Sequence, residues 1–110
     1  MLNDVSILIV EPGETAQNPL LNFLQQNTGA DIYHAKKPAE ALEFIKNNNK
    51  IELLLTDLFP PDKEGLDLIQ NGTGKNPAMV PVVLMPPGDR QSLVESLQAG
   101  VYFYINRPYD

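Results

Sequence analysis

The sequence predicts a doubly wound α/β domain on a five-stranded parallel sheet, and three observations carry that prediction. Five short apolar or β-branched runs recur, segments of helical period lie between them, and cap or turn residues fall at the joins. Most of the runs are apolar without alternation, as expected of parallel strands covered on both faces.

In chain order the first strand is Val5–Val10, followed by a loop over Glu11–Gln17. Asn18-Pro19 reads as the cap and first residue of a helix whose stripe is Leu20, Leu21 and Leu24. Asp31–Ala35 is the second strand, and Pro38 then opens a helix with Ala41, Leu42 and Ile45 on one face, closed by Asn47-Asn48-Asn49. The third strand is Ile51–Thr56. Leu66, Leu68 and Ile69 start a third helix that Gly72, Gly74 and Pro77 are expected to stop early, leaving it short, with Gly72–Asn76 as solvated loop. Val80–Met85 is the fourth strand. Asp89 caps a helix to Ala99, bearing Leu93, Val94 and Leu97, and Gly100 ends it in a left-handed conformation before the fifth strand, Val101–Ile105.

Composition narrows the function. With 14 acidic against 8 Lys+Arg residues the net charge is −6, which argues against direct nucleic-acid binding or attraction to anionic lipid. No cysteine occurs, so disulfides, thiolate metal sites and thiol nucleophiles are excluded, and a cytoplasmic location is expected. No apolar run approaches the roughly 20 residues of a membrane span. The ten prolines, nearly twice the average usage of about 5%, call for an explanation.

In doubly wound sheets, ligands bind at the carboxyl ends of the strands. The loops there bring Glu11, Asp57 and Arg107 toward one rim, with Glu14 either reaching inward or solvated at the start of the helical segment. Two carboxylates supply hard oxygens for Mg²⁺ and a guanidinium offers donors to a phosphoryl group, so the set suits phosphate chemistry. His34, alone on its strand, is read as a surface or packing residue. Nucleotide or flavin binding is disfavoured because the first loop has one glycine rather than a G-x-G-x-x-G fingerprint.

The pieces Ile7-Leu8-Ile9-Val10-Glu11, Leu53–Leu58, Pro61 with Glu64-Gly65-Leu66, Pro81–Leu84, Leu97–Gly100 and Tyr104–Tyr109, in this order and spacing, resemble the receiver domain of two-component response regulators. The resemblance covers essentially the whole chain, residues 1–110, and implies the flavodoxin-like strand order 2-1-3-4-5. It implies that Asp57 accepts a phosphoryl group from a histidine kinase or phosphotransfer protein. Activity would extend at most to the domain's own aspartyl phosphorylation and dephosphorylation. Mg²⁺ would be held by Glu11, Asp57 and the backbone carbonyl of Phe59. Arg107 would stand at the family's lysine position, and Pro86 and Tyr104 at its switch positions. Signals would pass to an output domain or partner protein around the fourth helix and fifth strand.

Three departures accompany the resemblance. The second acid of the first loop is replaced by Pro12, so Mg²⁺ binding is expected to be weakened or lost. The hydroxyl position is Pro86, which offers neither hydroxyl nor N–H. Arg107 replaces a compact ammonium with a broader fork. The alternative is therefore a pseudo-receiver, a phosphorylation-independent interaction module. The family's fifth helix is also expected to be absent from the chain, which would leave part of one sheet face apolar and open. That points to a partner, a homodimer or a chain trimmed from a longer one, with the last favoured.

Overall fold

A computed structural model describes residues 5–48, 50–59, 62–86, 88–101 and 103–106. The elements alternate: β1 (Ser6–Val10), α1 (Pro19–Asn27), β2 (Asp31–Ala35), α2 (Pro38–Asn47), β3 (Leu53–Asp57), α3 (Glu64–Lys75), β4 (Val80–Met85), α4 (Arg90–Gln98) and β5 (Phe103–Asn106). All five strands pair in parallel in the order β2-β1-β3-β4-β5, which is the expected order.

Successive strand residues point to opposite faces, and both faces are apolar because both carry helices. Leu8, Val10, Leu54 and Val83 pack with Ala41, Ile45, Leu68 and Ile69 of α2 and α3. Ile7, Ile9, Leu55 and Leu84 pack with Leu20 and Leu21 of α1. Beyond α1 this second face is open, and Leu53, Val80, Val82, Phe103, Tyr104 and Ile105 line a shallow apolar depression there.

The predicted caps form. Asn18 accepts from the Leu21 N–H with Pro19 in the first turn of α1, and Gly100 ends the α4 segment at a φ of 92°. α3 differs from expectation, since it runs for 12 residues and contains both Gly72 and Gly74. Gly72 is buried where α3 meets the Ile45 and Met79 side chains, so a close packing contact outweighs its weak helix propensity. Asn76, at the end of α3, is likewise buried rather than solvated and donates to the Ile51 carbonyl at 2.7 Å.

Asp89 caps α4 through both carboxylate oxygens, accepting from the Ser92 N–H at 2.9 Å and the Ser92 hydroxyl at 2.6 Å. The hydroxyl is the larger cause that holds the Asp89 carboxyl below its ordinary value of 3.8, followed by the N–H, with the Lys63 charge assisting. The folded protein thus binds fewer protons here than the unfolded chain. The contribution is fully present above 3.8 and is lost as pH falls through the folded value. Asp89→Asn keeps an acceptor for the Ser92 N–H and should flatten the acid limb of stability. Urea unfolding of both proteins at about pH 6 and about pH 3 checks this, and an unchanged acid limb would contradict it.

Candidate functional site

The sheet carries Glu11 and Asp57 to neighbouring positions on its carboxyl rim. β1 and β3 are adjacent and Val10 is level with Thr56, so the next residue of each strand path is one of the two acids. Both are buried, Glu11 at 7% exposure and Asp57 at 8%.

Asp57 is fixed by the loop it begins. Its Oδ1 accepts from the Phe59 N–H at 2.7 Å, and its carbonyl accepts the Thr56 hydroxyl at 2.9 Å. Phe59 adopts a left-handed conformation, φ 58°, and its carbonyl accepts from the Lys63 N–H at 3.0 Å. Lys63 is also left-handed, φ 54°, and opens α3. The Gly65 N–H then donates to the Leu58 carbonyl at 2.9 Å, drawing the start of α3 against the end of β3. A Cβ at Gly65 would lie 2.1 Å from the Asp57 carbonyl oxygen, so only glycine permits this approach. An ion pair between Lys63 and Glu95 ties the loop to α4.

Glu11 is held from two other elements. Its Oε1 accepts from Asn18 Nδ2 at 2.8 Å, and its carbonyl lies 2.8 Å from His34 Nε2 of β2. A carbonyl can only accept, so Nε2 carries the proton in the neutral ring, and Nδ1 is left to accept the Thr15 hydroxyl at 2.7 Å. His34 therefore braces the first loop through both ring nitrogens. The sequence reading missed this because both of its partners lie across the β1–β2 pair. Glu14 is exposed and turned to Lys36 at 3.6 Å, an ion pair worth little in solvent.

Pro12 and Pro86 are both exposed. Tyr104 is 46% exposed on β5 and lines a small cavity with Met85, Gly88, Asp89, Arg90, Leu93 and Asn106, next to the loop that Pro86 begins. Arg107 and Pro61 lie outside the described residues.

The donor set suits a hard divalent cation. Two carboxylates and the Phe59 carbonyl are oxygen ligands, and no group of three His, Cys, Asp or Glu side chains forms among the described residues, so water would complete the shell. Mg²⁺ characteristically retains several waters. Each of the three groups already accepts an N–H, yet a carboxylate or carbonyl oxygen has more than one acceptor position.

Residues 7–110 match the family model of the response regulator receiver domain. The chain belongs to the receiver family. This receiver is 27% identical over 107 residues to the chemotaxis protein CheY1 of Helicobacter pylori, covering 96% of this chain and 86% of that one. Among solved structures, it is 28% identical to a CheY-like receiver domain protein of Methanospirillum hungatei, with a TM-score of 0.77 over 96% of this chain and 83% of that one. A response regulator of Thermotoga maritima is 25% identical, with a TM-score of 0.81 over 96% and 87%. Receiver domains bind Mg²⁺ at an acidic pocket and interact with histidine kinases or phosphotransfer proteins and with output domains. No helix among the described residues of this receiver is long and apolar enough to cross a membrane.

Proposed function

We propose that this receiver accepts a phosphoryl group on Asp57 from a histidine kinase or phosphotransfer protein, and signals through contacts around α4 and β5. One observation supports this above the others. Asp57 is a buried carboxylate at the end of a central strand, oriented through Oδ1 by the Phe59 N–H and set beside a second acid, Glu11.

The chemistry is nucleophilic displacement at phosphorus. A carboxylate oxygen of Asp57 forms the new P–O bond while the P–N bond of a phosphohistidine breaks, its electron pair leaving with the imidazole nitrogen. Water later hydrolyses the acyl phosphate. Transfer of this kind depends on alignment and charge neutralisation more than on proton movement. The Phe59 N–H supplies alignment by fixing the carboxylate, while Gly65 and Lys63 keep the loop that carries Phe59 in place. Glu11, Asp57 and the Phe59 carbonyl would hold Mg²⁺, which when bound offsets the repulsion between two anions. Arg107 is assigned the remaining positive charge. Tyr104, beside the β4–α4 loop, would carry the state of the pocket to the α4–β5 surface, where the output partner docks.

The test uses the whole chain with Mg²⁺ and a small acyl phosphate, followed by intact-mass measurement. The expected result is one phosphoryl adduct on the wild-type protein and none on Asp57→Asn. A folded wild-type sample that takes up no adduct at any Mg²⁺ concentration would overturn the assignment in favour of a phosphorylation-independent interaction module.

A further inference from the structure

The first loop of this receiver lacks a second acid, since Pro12 follows Glu11, yet the Glu11 carboxylate is buried. A buried carboxylate is tolerated when donors replace the water it has lost. One such donor is the side chain of Asn18, itself only 5% exposed.

Asn18 is fixed at both ends of its amide. Oδ1 accepts from the Leu21 N–H at 2.9 Å as the cap of α1, and Nδ2 donates to Glu11 Oε1 at 2.8 Å. A flipped amide would lose the cap bond and set oxygen against oxygen, so the chemistry permits one orientation. The backbone is fixed too. The Asn18 N–H donates to the Thr15 carbonyl at 3.2 Å, its own carbonyl accepts from Asn22 at 3.0 Å, and Pro19 restricts it to the extended conformation it shows. The late start of α1, after a 3-10 turn over Thr15–Gln17, is what brings this cap under the rim.

We propose that Asn18 sets the divalent-cation affinity of the pocket, because its amide donates to the Glu11 oxygen that a cation would otherwise engage. The inference rests on reading Glu11 and Asp57 as the cation pocket. A cation that recruits Glu11 has to share or displace the amide donor. Loss of one hydrogen bond to a charged group corresponds to about a ten- to hundredfold change in an equilibrium constant. Asn18 is a positioning residue, acting through Glu11.

Asn18→Asp tests this because aspartate keeps the oxygen that accepts from Leu21, removes the NH₂ donor and adds a carboxylate beside Glu11. Asn18→Ser keeps a capping oxygen, removes the amide and adds no charge. Mg²⁺ affinity is measured by calorimetric titration, and Mg²⁺-dependent thermal stabilisation gives a second readout independent of phosphorylation. Asn18→Asp should bind Mg²⁺ at least about tenfold more tightly than wild type. Asn18→Ser, which loses the amide bond without gaining a charge, should bind about tenfold more tightly, and it carries the test alone if Asn18→Asp does not fold without the ion. Variants that bind no more tightly than wild type, while Glu11→Gln still weakens binding, overturn the role of Asn18 and leave the pocket standing. If Glu11→Gln leaves wild-type affinity unchanged, the pocket assignment itself falls, and the role of Asn18 with it.

Discussion

Gly65→Ala should lower the stability of the domain by about 3 kcal/mol or more, a large part of the 5–15 kcal/mol typical of such domains. The added Cβ would stand 2.1 Å from the Asp57 carbonyl oxygen, 3.0 Å from Leu58 Cα and 3.1 Å from the Asp57 carbonyl carbon. All three are backbone atoms, so no side chain can swing aside. Relief requires the start of α3 to move away from the end of β3, which stretches the Gly65 N–H bond to the Leu58 carbonyl and disturbs the loop whose Phe59 N–H orients Asp57. The cost is steric, because Gly65 is absent from the glycines with positive φ.

Gly74→Ala in the same helix is the control. Nothing lies within 4 Å of its added Cβ, and alanine is the better helix former, so a gain of about 0.5–1 kcal/mol is expected. Urea unfolding of both variants separates the two effects. A Gly65→Ala protein as stable as wild type would show that α3 does not pack on the end of β3 in this way.

These two glycines also show where sequence reasoning stopped. The central strands β1, β3 and β4 were legible because most of their residues are buried between helices and read as unbroken apolar runs, and the caps at Asn18, Asp89 and Gly100 because their chemistry is local. Local rules misjudged α3, where Gly72 and Gly74 read as stops. The decisive fact is tertiary, namely that Gly72 fits against Ile45 and Met79 while the helix continues past it. The same gap separates the reading of His34 as a lone residue from its bonds to Thr15 and the Glu11 carbonyl. Of the site, the alignment of Glu11 with Asp57 followed from strand order. The Asn18 link to Glu11 did not, because the cap position is a local signal whereas the second contact of its amide depends on the 3-10 turn over Thr15–Gln17 that folds the loop back toward Glu11.

Pro12→Asp combined with Pro86→Thr should raise the rate of phosphoryl uptake from a small acyl phosphate by at least about tenfold. One hydrogen bond to a charged group contributes about 1.5–3 kcal/mol, and each 1.4 kcal/mol is a factor of ten. Pro86 directly follows β4 and can donate from neither side chain nor backbone, whereas a threonine there offers a hydroxyl toward a phosphoryl group on Asp57, one strand away. Pro12 is exposed next to Glu11, so an aspartate in its place adds a carboxylate beside Glu11 in the chain without entering the core. Removing Pro86 also releases a fixed φ at the start of the loop beside Tyr104, the segment that would have to move if the phosphoryl group is to be sensed. The two changes act on different quantities, and single variants separate them. Pro12→Asp should shift the Mg²⁺ concentration that gives half-maximal labelling, while Pro86→Thr should change the labelling rate at saturating Mg²⁺. A double variant that folds and labels no faster than wild type would mean that the prolines are not what limits this pocket, and would direct attention to the Asn18 amide instead.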